Sequence, residues 1–300
     1  MMMIKMKNFF CFALLTLLSI GEAFAEDAIS ASFSKETFSL ANTTLPYRKA
    51  SISGTDEKAS LVIYLHGGSS KGTDNETQMN EPGIDSIYSW LLANNRKAIM
   101  LVPQASKTWL GPTIPAIKTL LQTYIDRGVA DKTRIYIFGG SMGGTGTWNI
   151  IATYPDFFAA AMPVAGNPSG LDAEKTSHTP LFTVMGTADV IMDISNVEPF
   201  LAEMDKYDAS YKFEIEQGWT HEDVCKRSYT KSRLDWVFSH TLNSTTNITS
   251  TENNYNKECT TTWYDITGHK LPCAPQDKGI YIKKIVWDNG NSQAKKVAVQ

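Results

Sequence analysis

One stretch constrains this chain more than any other: Ile135-Tyr136-Ile137-Phe138-Gly139-Gly140-Ser141-Met142-Gly143-Gly144. Apolar residues of strand type run straight into G-x-S-x-G, and a helix-compatible stretch, Thr145 to Thr153, follows. A serine on so tight a strand-to-helix reversal needs glycine two residues before and two after, because larger side chains would collide as the backbone turns back. Such a turn presents its hydroxyl at the C-terminal end of a strand, and the helix N-terminus beneath it offers unpaired N–H groups to negative charge. Ser141 is therefore the candidate nucleophile. A serine hydroxyl is a poor nucleophile at neutral pH, so it needs a base and an acid to orient that base.

The surrounding pattern is one of strands alternating with helices. Strand-length apolar runs occur at Leu61 to Leu65, Ala98 to Val102, Ile135 to Phe138, Ala159 to Val164 and Leu181 to Met185. Their richness in Val, Ile and Ala suits strands buried on both faces of a mostly parallel sheet. Between them, Ile114 to Ile125 carries Ile117, Leu120, Leu121 and Tyr124 at the spacing of one helical face, with Pro115 in its first turn. Ser195 to Tyr207 and His221 to Phe238 read as further helices. The expectation is an α/β domain with a doubly wound, mostly parallel sheet over residues 26–240.

On that framework the missing partners fall at strand ends. In the order Ser, acid, His, the acid comes from Gly186-Thr187-Ala188-Asp189, after the strand ending at Met185, with Asp193 as the competing carboxylate. The histidine comes from Gly218-Trp219-Thr220-His221, after a strand-like Tyr211 to Glu216. His178, His240 and His269 have no comparable placement. Leu65-His66-Gly67-Gly68 leaves another strand, and Gly68 with Met142 is the expected pair of N–H donors for an oxyanion hole. His66 reads as a brace for that loop. This chemistry calls for no cofactor and no metal.

Composition narrows the remaining classes. The 300 residues are 42% hydrophobic and 20% charged with a formal net charge of −3, so nothing marks a nucleic-acid binder. Five histidines without HExxH and four cysteines without CxxC leave little for a zinc site. Lys5 and Lys7, an apolar run from Phe9 to Ile20, and Ala23-Phe24-Ala25 describe a secretory signal peptide over residues 1–25, too short to be a membrane span. The expectation is an exported protein: periplasmic, secreted or held at the cell surface. Cys225, Cys259 and Cys273 remain after its removal, and Cys259–Cys273 is the expected bridge because both lie in the C-terminal segment. Residues 241–257 are dominated by Ser, Thr and Asn and read as a linker. Beyond it, residues 258–300 form a short β-rich segment with strands expected at Trp263 to Gly268 and Gly279 to Ile282.

The His66-Gly67-Gly68 loop, the Gly139-to-Gly143 elbow, Asp189 and His221 together resemble the α/β-hydrolase family. Phe138 to Gly144 followed by Thr147-Trp148 and Tyr154-Pro155, and His221 followed by Tyr229 and Trp236, are similar to one branch of it. That branch holds secreted polyhydroxybutyrate-depolymerase-like, feruloyl and acetylxylan esterases, and predicted peptidases. The resemblance covers about residues 45–240, with Val224 standing where many such sequences carry Trp. Tyr264 to Lys270 and Lys278 to Ile282 resemble the C-terminal segments of exported Bacteroidetes proteins, which implies secretion or surface attachment.

The expected function is therefore a secreted serine carboxylesterase, acting on a small-molecule or polymer-linked ester such as one on plant polysaccharide. The connection Gly166 to Thr179 is too short for a lid, which implies an open site, with Trp109 and Trp219 as candidate aromatic walls. A serine peptidase using the same three residues is the alternative. A catalytically silent binding protein on this scaffold is a third reading, opposed by the presence of all three residues.

Overall fold

In the computed structural model, described for residues 29–242, 258–287 and 292–299, the apolar runs become strands whose alternate side chains enter different cores. Leu61, Ile63 and Leu65 join one cluster with Ile135 and Ile137, while Val62 and Tyr64 join the other with Tyr136 and Phe138. This is the period of two that a strand imposes, with both faces covered.

The chain divides into two compact units between Ser244 and Thr245. The first holds β1 (Ser34–Leu40), β2 (Thr43–Ile52), β3 (Ala59–Leu65), β4 (Ala98–Pro103), β5 (Ala130–Gly140), β6 (Ala160–Val164), β7 (Leu181–Gly186) and β8 (Tyr211–Glu216). These form one sheet in the order β1-β2-β4-β3-β5-β6-β7-β8. Pairing is antiparallel from β1 to β2 and from β2 to β4, and parallel from β4 onward. Helices α2 (Thr113–Asp126), α3 (Met142–Thr153) and α5 (Glu198–Met204) cover one face with Leu120, Ile151 and Leu201. Helices α1 (Pro82–Ala93), α6 (His221–Arg227) and α7 (Lys231–Phe238) cover the other with Ile87, Val224 and Phe238. A short α4 (Ala173–Ser177), capped by Asp172, occupies the β6–β7 connection, where no lid is inserted.

Several expectations are corrected. The β1–β2 hairpin extends the sheet upstream of residue 45, where the family resemblance begins. Its second strand hides behind Arg48 and Lys49. Arg48 is nonetheless buried, because it donates to the carbonyls of Asn75 and Phe33 and pairs with Glu76. The expected helix from His221 to Phe238 breaks at Ser228–Thr230, where Thr230 N-caps α7. The stretch from Ser195 to Tyr207 is a single α-turn pair, α5, flanked by 3-10 turns.

The second unit is a four-stranded antiparallel sheet, β10-β9-β11-β12, not the two strands expected. It is built from β9 (Glu258–Tyr264), β10 (Lys270–Leu271), β11 (Gly279–Trp287) and β12 (Ser292–Val299). Cys273 is free and exposed, so the Cys259–Cys273 bridge is not formed. β10 pairs Leu271 with Trp263 and ends there; carried two residues further, that register would set Cys273 opposite Thr261 and not Cys259. The side chain of Cys259, the residues expected to form a signal peptide and most of the expected linker lie outside the described residues. Among the described residues no helix is long and apolar enough to cross a membrane.

Candidate active site

Parallel register brings four strand ends to one edge. Leu65 pairs with Gly139, Gly140 with Val164, Val164 with Val184, and Gly186 with Glu216. The loops leaving β3, β5, β7 and β8 therefore open side by side, and they carry Gly68, Ser141, Asp189 and His221.

Ser141 stands at the N-cap of α3 with φ 56° and ψ −119°, a conformation that is costly for a residue with a side chain. The strain is over-determined by its neighbours. A Cβ at Gly139 would lie 2.4 Å from the Gly143 carbonyl oxygen, and one at Gly143 would lie 1.9 Å from the Leu65 oxygen. The flanking glycines let the turn pack against β3 and its own helix, and Ser141 N–H is held by the Val164 carbonyl at 3.0 Å.

His221 opens α6, whose first turn is fixed by a capping box between Thr220 and Asp223. Its Nε2 lies 2.8 Å from Ser141 Oγ and its Nδ1 lies 2.8 Å from Asp189 Oδ2. The Asp189 side chain is fully buried, and its Oδ1 accepts the N–H groups of Ile191 and Met192, both at 2.9 Å. Asp193, the competing carboxylate, instead caps a 3-10 turn by accepting Ser195 N–H. Ser, His and Asp are thus brought together in a relay that can move a proton off the serine hydroxyl.

The loop that carries Gly68 is set by His66. Its Nε2 accepts Ala105 N–H at 2.9 Å, so the proton sits on Nδ1, which donates to the Gly67 carbonyl at 2.7 Å. Burial pushes its pKa down to about 4, so the ring stays neutral. In a trans peptide the carbonyl and the following N–H point in opposite directions. Anchoring the Gly67 oxygen therefore turns the Gly68 N–H the other way, and Gly68 lines the cleft beside Ser141. Met142 is the first residue of α3, where the helix leaves its N–H unpaired.

Glu81 escaped the sequence reading. It is buried at the start of α1, and its Oε1 accepts both Gly67 N–H at 2.8 Å and Ser70 Oγ at 2.7 Å. Tyr64 is a further hydrogen-bond partner, and Tyr229 donates to Tyr64 at 3.3 Å. Burial raises the Glu81 carboxyl above the usual range. The only local signal was an acid before a proline at a helix start. Its tie to a loop fourteen residues upstream is tertiary.

The cleft over the site is about 540 Å³. Its lining comes from the Gly67–Ser70 turn, the start of α1 and one face of α6, together with Ser141 and Ile191. Cys225, one turn after His221, also lines it, and burial pushes its thiol up to about 12, so it stays protonated. The expected aromatic walls are not there. Trp109 is fully buried and donates Nε1–H to the His66 carbonyl, while Trp219 lies under the Arg227 guanidinium, 4.5 Å from ring centre to charge. Val224 is buried in the core, so its departure from Trp leaves the cleft lining untouched.

The sheet order and helix layers are those of the α/β-hydrolase fold, and Ser141, His221 and Asp189 meet at one edge of the sheet. The sequence profile of the prolyl oligopeptidase family matches residues 105–171. Poly(3-hydroxyalkanoate) depolymerase C of Paucimonas lemoignei is 29% identical over 150 residues, covering 44% of this chain and 33% of its own length. The chain thus matches about a third of that curated relative. A thermostable esterase superposes with a TM-score of 0.65 at 23% identity, covering 71% of this chain and 64% of that one. A puromycin-hydrolysing peptidase of Mycobacterium tuberculosis superposes at 0.55 and 16% identity, covering 70% of this chain and 40% of its own. At these identities the two structural likenesses are ones of fold.

Proposed function

We propose that this protein is an exported serine carboxylesterase in which Ser141 attacks the ester carbonyl. With Nδ1–H donated to Asp189, His221 Nε2 presents its lone pair to the serine hydroxyl and takes its proton as the Oγ–C bond forms. Gly68 and Met142 N–H groups receive the charge on the carbonyl oxygen, a contribution of roughly 10²–10³ in rate per donor. The tetrahedral intermediate collapses as His221 returns the proton to the leaving alcohol. Water, deprotonated by the same nitrogen, then releases the acid from Ser141.

The observation that carries this reading is the pair of 2.8 Å contacts from His221 to Ser141 and Asp189, on a serine held at positive φ. An ester is favoured by the absence of a lid and by the esterase and depolymerase likenesses, which also suit a substrate carried on a polymer. Export rests on the composition of residues 1–25. The match to the prolyl oligopeptidase profile supports a second reading, amide hydrolysis by the same residues.

The test is hydrolysis of nitrophenyl acetate, butyrate and octanoate, acetylated xylan, methyl ferulate and a chromogenic peptide by residues 26–300, with Ser141→Ala as control. Ser141-dependent turnover of esters with an inert peptide is expected. Peptide cleavage without ester turnover would replace the first reading by the second.

A further inference from the structure

Strand β8 is the last of its sheet, and among the described residues no strand lies beyond it. Its inward groups are fixed by two bonds, from Leu181 N–H to the Ser210 carbonyl and from Thr187 N–H to that of Glu216. Backbone direction alternates along a strand, so Lys212 and Glu214 also turn their N–H and C=O toward β7. Tyr211, Phe213 and Ile215 turn theirs away from the sheet. The side chains of these three share one face, with Tyr211 and Phe213 half-buried against the core and Ile215 37% exposed. The other face carries Lys212, Glu214 and Glu216, and the two glutamates pair with Arg233 of α7. An open edge of this kind is a template for another strand unless something blunts it, and charge is the usual means.

Here the charges do not blunt the edge against its own copy. Lys212 and Arg233 balance Glu214 and Glu216, so two such edges carry no net repulsion. Identical strands related by a twofold axis pair antiparallel, with outward residue opposite outward residue. An axis at Lys212 would set lysine against lysine, and an axis at Glu214 would set glutamate against glutamate, both unfavourable. An axis at Phe213 sets ring against ring, Tyr211 against Ile215 twice, and Lys212 against Glu214 twice. From this self-complementarity we propose that β8 is a docking edge for a second copy of this chain, paired antiparallel about Phe213. The Glu214 side chain is 48% exposed beside Arg233, so it stays open to the lysine of the second copy. The two eight-stranded sheets then become one. Because the paired strands run in opposite directions, the sheet edges that carry Ser141 point opposite ways, which keeps the two clefts apart.

The test is the mass of residues 26–300 in solution, by analytical ultracentrifugation from about 1 to 100 µM. It compares the wild type with Lys212→Glu, Lys212→Glu/Glu214→Lys and Ile215→Pro. The wild type is expected to dimerise with a Kd of roughly micromolar order, as suits a small interface. Lys212→Glu sets like charges opposite one another twice and should raise that Kd about tenfold or more. The exchanged pair restores opposite charges, with Glu216 still holding Arg233, and should bring the Kd back to within about threefold of the wild type. Ile215→Pro removes an outward donor, leaves the bonds to β7 in place and should abolish the dimer. Because Lys212 is exposed and the Ile215 N–H faces outward, circular dichroism of the variants should match the wild type. A wild type that stays monomeric overturns the proposal. So does a dimer that Lys212→Glu and Ile215→Pro leave intact, which would assign the assembly to another surface. A dimer weakened by Lys212→Glu and not regained by the exchange overturns the pairing about Phe213, and the proposal with it.

Discussion

Asp189 divides its carboxylate between His221 and its own loop. Oδ2 lies 2.8 Å from His221 Nδ1, while Oδ1 holds the amides of Ile191 and Met192. One buried group therefore sets the orientation of His221 and the shape of the cleft margin together. Asp189→Asn separates the two roles. The amide oxygen can keep the loop bonds, while the new N–H₂ faces His221 and forces the proton onto Nε2, which then cannot accept from Ser141. The expected result is a fall in kcat of about 10⁴ with little change in melting temperature. Asp193→Asn, which alters only a cap, should leave kcat within about twofold. Parallel kinetics and thermal melts on the two variants make the comparison.

Ser141 is predicted to trade stability for position. Replacement by glycine removes the side chain that makes φ 56° costly, so Ser141→Gly should be more stable than Ser141→Ala by about 1 kcal/mol in urea denaturation. Both variants should lose roughly 10⁶ in kcat. Equal stability of the two would mean that the turn is not strained.

His66 links the Gly67–Gly68 loop to pH. Burial depresses its folded pKa to about 4, whereas the unfolded ring titrates near 6.5. Between those values the unfolded chain binds a proton that the folded chain does not, so stability falls as pH falls through this window and is flat above it for this group. The loss approaches about 3 kcal/mol at its lower end. The raised Glu81 carboxyl acts in the opposite sense, favouring the folded state as pH falls. His66→Gln isolates the histidine: its denaturation midpoint should vary less between pH 6.5 and pH 4 than that of the wild type, measured in the same buffers.

Glu81 is expected to act on rate through Gly67. Glu81→Leu leaves the Gly67 N–H without its buried acceptor and frees the loop that carries Gly68. The expected loss is about 10–10² in kcat with KM within about threefold, because a displaced oxyanion donor is missed mainly in the transition state. Glu81→Gln, whose amide oxygen still accepts from Gly67 and Ser70, should recover most of that rate. A loss confined to KM would assign Glu81 to substrate binding instead.

Some of this molecule is legible in its sequence because it is local. The elbow occupies consecutive residues, and the steric demand at Gly139 and Gly143 is met within that short span and the strand beside it. Asp189 and His221 are legible for a related reason: strands that run parallel must end at the same edge, so a residue just past such a strand is near its counterparts. The fold class follows from the same alternation.

What the sequence left open depended on contacts between distant segments. Arg48 masks a strand because its charge suggests solvent, and it is buried only because Asn75, Phe33 and Glu76 come from elsewhere to meet it. Trp109 and Trp219 have the composition of pocket walls, but one is enclosed by the core and the other is covered by Arg227. The anchoring of Gly67 by Glu81 could not be read from either residue's neighbours. The sequence by itself determined that Ser141, Asp189 and His221 would meet at one sheet edge, and the layered fold around them, since these rest on local sterics and on strand periodicity. Only tertiary packing decided which polar groups are buried against a partner and which apolar ones are left in the cleft, because desolvation depends on what the rest of the chain places around each atom.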